Sequence, residues 1–335
     1  MACRDHRASG RPAYAAVSAR NDDPHVAASS FARCSTNSKL FIVLVTRGSR
    51  VGMLVTLADV LNLFELAALG GDTFEGAQPD PPNHHIVGGQ IAAQALMAAS
   101  RTAQGRRPHS LHVYFLRRGD ARWPVRFEVT GLHDGGTFSA RRIAATQGGE
   151  VLMEGLASFT AGVHSAGYQR TMPAAPPPES LMPIEQQLAP YAEEFGGFWI
   201  EERPFDVRYL DPPPRIAMDS EEPSGPVSRI WLRARGAVPA DPVVNSCVLT
   251  LQSALTPVEA TLGPMRKSQY DISALLDHTV WFHRPADFSD WLFYEQTSTT
   301  GVAGRALATG AIYNRAGDLV CTAAQEIYFP PPRES

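Results

Sequence analysis

The sequence predicts an α+β fold built from two copies of one unit, a helix followed by antiparallel strands. Two stretches share a Phe-x-Arg core, Phe115-Leu116-Arg117 in HSLHVYFLRR and Phe282-His283-Arg284 in DHTVWFHRP. The spacing after them also agrees: each Phe is followed thirteen residues later by a Glu, Glu128 and Glu295. A Gly-acid pair comes next, Gly149-Glu150 and Gly317-Asp318, and an aromatic closes each copy, Phe159 and Phe329. A helical run precedes each set of strands, so the order of elements repeats as well as the motif. The two copies lie 167 residues apart.

Composition bounds the class. A chain of 335 residues, 44% apolar and 19% charged, can bury a sizeable core and has the balance of a soluble globular protein. A net charge of −4 gives no reason to expect nucleic acid as a partner. No stretch approaches the roughly 18 consecutive apolar residues of a membrane span. Cys3, Cys34, Cys247 and Cys321 lack metal-ligand spacing. Cys247 and Cys321 sit in apolar runs and read as free core thiols, which suits a reducing, cytoplasmic setting.

Taken in order, residues 1–52 are Arg-, Ala- and Ser-rich and poor in acids, the pattern of a disordered tail, a non-native extension before a start at Met53, or a transit peptide. Residues 53–160 form the first unit. Leu57, Val60, Leu61 and Phe64 recur at helical spacing, with Ala68 continuing that face. Thr56 and Asp59 offer a capping box and Gly70-Gly71 a stop, which predicts one short amphipathic helix. Gly88-Gly89 open a second helix running to about Ala103, mostly Ala, with Ile91, Leu96 and Met97 as bulky members. Such a helix either packs closely inside a curved sheet or leaves its first-turn amides free for an oxygen anion or a polarised carbonyl. LHVYFL, VRFEVTGL, FSARRIAATQ and EVLMEGLASF then read as strands. Residues 161–227 are a Pro-rich connection, with at most a partial helix near Pro183–Phe195. Residues 228–330 repeat the unit, with a helix over Asp241–Leu262 broken at Pro257 and strands through DHTVWFHRP, DWLFYEQTSTT, GRALATGAIYNRAG and DLVCTAAQEIYF.

The combination VGGQIAAQAL, HSLHVYFLRRGD, DGGTFSARRIAATQGG, LDHTVWFHRP and AAQE resembles the type II acyl-CoA thioesterases, from about Leu57 to Phe329. The resemblance implies a double hotdog, two antiparallel sheets each wrapped around a central helix. The implied reaction is hydrolysis of an acyl-CoA thioester to a free acid and CoA, with no metal, cofactor or covalent intermediate. Open sheet edges in such folds pair further, so a homo-oligomer is expected.

Thioester hydrolysis needs a placed water, a proton acceptor and donors for the developing oxyanion. In the family these come from an Asp on the second helix, a Ser or Thr before the second signature, and a Gln on the last strand. Carried over, the Gln is Gln325. The Asp position reads Ala254 when anchored on Ser253, or Gln252 when anchored on Pro257. The hydroxyl position, three before His278, reads Leu275. A slip of one residue would bring Ser253, and of two Ser273, to these places. Gly88, Gly89 and Gln90 at the start of the first central helix complete the expected substrate-binding set with Ala254 and Leu275.

Other groups carry two readings each. His84 and His85 are relocated bases or loop histidines; Glu259 is a base or a surface charge; Asp277 and His278 are catalysts or strand-edge polar groups. Arg117 and Arg284 meet CoA phosphates or form buried ion pairs, and one of Arg141 and Arg142 is solvated. The absence of GxSxG, GxxxxGK and HExxH argues against serine hydrolase, P-loop and zincin chemistry. Two functions follow: a thioesterase of low activity with a water held by Gln325, or a non-hydrolysing acyl-CoA binding or sensing protein on the same fold.

Overall fold

A computed structural model describes residues 56–79, 85–162, 166–197, 199–201, 203–220, 222, 224–266 and 274–331. It opens with α1 (Leu57–Asn62), whose capping box is formed as the sequence predicts: Asp59 N donates to Thr56 Oγ1 at 3.2 Å and Thr56 N to Asp59 Oδ2 at 2.8 Å. The helix is shorter than its periodicity suggested. After Asn62 the chain forms a hairpin, β1 (Ala67–Gly70) and β2 (Thr73–Gly76). Gly70 and Gly71, expected to stop a helix, make the hairpin turn, at φ +90° and +59°. Pairing of β2 with a later strand outweighs local helical preference here.

Helix α2 (Gly88–Thr102) follows, then β3 (Arg107–Phe115), β4 (Val125–Asp134), β5 (Phe138–Gln147) and β6 (Glu150–Thr160). The connection holds only short pieces, α3 (Ile184–Gln187), β7 (Phe205–Tyr209) and α4 (Pro214–Ala217). The second unit contains β8 (Val227–Ala234), α5 (Pro242–Leu255), α6 (Glu259–Met265), β9 (Ala274–Leu275), β10 (Asp277–Phe282), β11 (Leu292–Val302), β12 (Arg305–Asn314) and β13 (Leu319–Tyr328). The break expected at Pro257 separates α5 from α6.

The strands form one antiparallel sheet in the order β1-β2-β4-β5-β6-β3-β10-β13-β12-β11-β8-β7, with β9 attached to β13. Read outward from the β3–β10 seam, the two halves have the same order. His112 and Thr279, 167 residues apart, pair directly across the seam, so a pseudo-twofold axis passes between them. Each half curls around its own helix, the double hotdog arrangement, and α2 and α5 lie against each other beneath the seam.

The repeated signature has a structural job. The amides of Leu116 and Arg117 both donate to Leu152 O, and those of His283 and Arg284 both donate to Val320 O. Each Arg then caps the start of the neighbouring strand, Arg117 Nη1 on Val151 O at 3.0 Å and Arg284 Nη1 on Leu319 O at 2.8 Å. Arg117 also pairs with Glu150 in an exposed contact of 3.0 Å. The expectation of buried ion pairs for these arginines is therefore corrected: both lie at exposed strand ends. The Pro-rich connection covers the outer face of the second half, where Trp231, Trp291, Phe293 and Tyr313 pack with Met172 and Leu181. Trp231 Nε1 donates to Pro176 O at 2.9 Å.

Candidate active site

The pseudo-symmetry allows each inner-face position to be compared with its counterpart. In the first half Leu111, Ala157, Val129 and Ile143 line the face toward α2, all buried and apolar. Their counterparts toward α5 are His278, Gln325, Gln296 and Gly310. Arg141, the first-half counterpart of Ala308, is 5% exposed and donates to Thr102 O and Oγ1 at the C-terminus of α2, both at 2.9 Å. It closes that end of the barrel, while Arg142 points outward to Glu154 at 2.7 Å. Polar side chains without such a tie are thus concentrated on one of two otherwise matching faces.

Gln325 is fully buried, and among the described residues neither its Oε1 nor its Nε2 completes a hydrogen bond of ordinary geometry with a protein group. A buried polar atom left unpaired costs about 1–3 kcal/mol. Gln325 continues the register of the Thr279–Ala324 pair, which places it opposite His278. His278 is also fully buried and on the inner face, so it is not a strand-edge group. Its Nε2 lies 3.1 Å from Ser253 Oγ, while Ser253 Oγ donates to Thr250 O at 3.2 Å. The Ser253 contact is satisfied by either tautomer of the ring, and Nδ1 has no partner of ordinary hydrogen-bond geometry among the described residues. Burial pulls the His278 pKa down to about 4, with the Gln325 side chain opposing the shift, so the ring is neutral at pH 7.

The remaining predicted residues converge on the first turn of α2. A Cβ on Gly89 would lie 3.0 Å from Ala254 Cβ and 3.0 Å from Leu251 O, and one on Gly88 would lie 3.1 Å from Leu275 Cδ1 and from Phe115 Cζ. Gly88, Gly89, Ala254 and Leu275 therefore share one corner. No side chain caps α2, so the Gly88 and Gly89 amides have no intrahelical acceptor. Ser253, one residue before Ala254, faces His278 instead. Gln90 turns away from the corner and donates to Gln78 Oε1 at 2.8 Å.

Glu259 corrects the reading of a surface charge. At the start of α6 it is partly buried, and it accepts from Tyr209 Oη at 2.8 Å and Ser228 Oγ at 3.1 Å. Desolvation pushes its pKa up to about 7 against those hydrogen bonds and the Arg203 charge. Tyr209 lies on β7, a strand that alternation in the Pro-rich connection did not reveal. Asp277 accepts from Glu326 N at 2.7 Å and fixes the bulge beside β9. His85 has partners within the protein, and His84 and Ser273 fall outside the described residues. Cys247 and Cys321 are buried free thiols, as expected, with burial raising both above the usual thiol range. Among the described residues no cluster of His, Cys, Asp and Glu could hold a metal, and no helix is long and apolar enough to cross a membrane.

Two curved halves of one sheet around a pair of packed helices define a hotdog protein. Comparison with known proteins agrees. The family model for acyl-CoA thioesterase matches residues 216–328, and that for the acyl-CoA thioesterase N-terminal domain matches residues 78–160. Acyl-CoA thioesterase 2 of Haemophilus influenzae is 33% identical over 289 residues, covering 81% of this chain and 98% of its own. A tesB protein of Mycobacterium avium subsp. paratuberculosis superposes with a TM-score of 0.69 at 43% identity, covering 82% of this chain and 100% of its own. The acyl-CoA thioesterase II TesB2 of Mycobacterium marinum gives 0.66 at 32% identity, covering 82% and 99%. The chain belongs to the acyl-CoA thioesterase family, whose reaction is acyl-CoA hydrolysis.

Proposed function

We propose that this chain hydrolyses fatty acyl-CoA slowly, through a water held by Gln325. The observation that carries this reading is the fully buried Gln325 amide, neither end of which completes a hydrogen bond among the described residues. An amide can donate to and accept from a water, which orients it but does not deprotonate it. The Gly88 and Gly89 amides supply donors for the oxyanion. The corner formed with Ala254 and Leu275 has neither carboxylate nor hydroxyl. In the tautomer with its proton on Nε2, His278 offers Nδ1 as the acceptor beside Gln325, and its lowered pKa makes it a weak base. Since general base catalysis contributes about 10² to 10⁴ in rate, a weak base accounts for slow turnover. Ala254 and Leu275 leave acyl-CoA binding intact, so the alternative of a non-hydrolysing binding protein shares this site.

A thiol-release assay over an acyl chain-length series, with CoA-ester binding measured alongside, separates the two. Turnover above buffer that disappears in Gln325→Ala supports hydrolysis, and tight binding with no turnover at any length supports the sensor. The double variant Ala254→Asp, Leu275→Thr is expected to raise kcat by about ten-fold or more by restoring a base and a donor at the corner. No increase, with binding preserved, would show that these positions do not meet the reacting atoms.

A further inference from the structure

Gln296 is the second inner-face glutamine of β11 to β13, and nothing in the hydrolytic scheme uses it. It is fully buried, and among the described residues neither its Oε1 nor its Nε2 has a hydrogen-bond partner. It pairs across the sheet with Ser228, whose Oγ donates to Glu259, and with Gly310 on the other side. Gln296 and Gln325 flank β12, whose inner face between them is reduced to Ala308 and Gly310. Ordinary sheet spacings put their Cα atoms about 12 Å apart, two strands across and two residues along. Beside this floor lies an apolar cluster separate from the main core, with Val258 and Leu262 of α6 packed on Ala306, Ala308, Ile327 and Phe329. The Tyr294 ring covers Gly310, its Oη donating to Ser253 O at 2.8 Å, so a hydrocarbon chain leaving Gln325 would have to pass over Ala308, against Val258 and Leu262, before it met the Gln296 amide.

We propose that Gln296 is a specificity-determining residue that recognises a hydroxyl group partway along the acyl chain of the substrate. The assignment rests on the thioesterase reading above. An amide both donates and accepts, and a hydroxyl satisfies both functions at one atom, whereas a keto oxygen satisfies only the donor. The spacing from Gln325 places the hydroxyl several carbons beyond the thioester carbonyl, not next to it. The first half has Val129 at the matching position, which has nothing to recognise.

The test compares palmitoyl-CoA with hydroxypalmitoyl-CoA isomers whose hydroxyl lies next to the carbonyl, mid-chain or at the far end. Kd is measured by titration and turnover by thiol release. The mid-chain isomer is expected to bind about ten-fold more tightly than palmitoyl-CoA. Gln296→Val should abolish that advantage while leaving palmitoyl-CoA affinity unchanged or higher, and Gln296→Met, closer in volume, provides the same test if the valine variant folds poorly. Equal affinity for all isomers, or an advantage that survives both substitutions, overturns the proposal but leaves slow hydrolysis standing. Failure of every acyl-CoA to bind overturns this assignment and the hydrolytic reading together. A large fall in Tm for Gln296→Met would show that the amide is held by the protein itself, and would also overturn it.

Discussion

Gln325 illustrates how a single residue trades stability for chemistry. Its two unpaired amide atoms are destabilising in the absence of a ligand, about 1–3 kcal/mol for each group left without a partner. Gln325→Leu is therefore expected to raise stability by about 1–2 kcal/mol in urea unfolding while removing turnover. A loss of stability instead would mean that protein groups satisfy the amide. The residue itself could be picked out from AAQE by resemblance. Its neighbour His278 could not be placed, because alternation in DHTVWF does not say which face meets the helix. Ser253 on α5 decides that, through the 3.1 Å contact with His278. The burial of Glu259 is hidden for a similar reason, since its partners are Tyr209, on a strand inside the Pro-rich connection, and Ser228, on the strand that follows it.

At the level of elements, the close crossing of α2 and α5 depends on Gly89. A methyl group there would meet Ala254 Cβ and Leu251 O at 3.0 Å, and backbone oxygen yields little. Gly89→Ala should cost about 1–3 kcal/mol, read as a lower urea midpoint, and should raise KM by shifting the first turn of α2. An unchanged midpoint would show that the two helices separate easily. Strands β3 to β6 and β10 to β13 followed from period-two patterning and turn residues, because each has one face in the core. The β1–β2 hairpin did not, since Ala68 continues the helical face set by Leu57, Val60, Leu61 and Phe64, and only the pairing of β2 with β4 settles the matter. Strand β7 was hidden because it forms an edge of five residues among prolines.

For the whole molecule, stability against pH combines two buried groups of opposite sign. Glu259 has its pKa raised from 4.5 to about 7, so its contribution is present below 4.5 and lost as pH rises through 7, about 3 kcal/mol in all. His278 has its pKa lowered from 6.5 to about 4, so its contribution is present above 6.5 and lost as pH falls through 4, by a similar amount. Between about pH 4.5 and 6.5 the two slopes oppose each other, and thermal stability should be nearly flat from these groups. Glu259→Gln removes one of them. Its Tm should then climb with pH across that range and exceed the parent's above pH 7. If the variant tracks the parent at every pH, Glu259 is not held protonated by its surroundings.

The pseudo-twofold axis between His112 and Thr279 also bears on how this protein can be redesigned. A homodimer of one hotdog carries any change on both inner faces at once, so a residue installed for chemistry is also installed where it is idle. Here the two faces are separate stretches of one chain, Leu111, Val129, Ile143 and Ala157 in one and His278, Gln296, Gly310 and Gln325 in the other. The first sheet face can be repacked for thermal robustness while the first turn of α2 is kept, and the second face reshaped for a different acyl group, without either change being copied onto the other half.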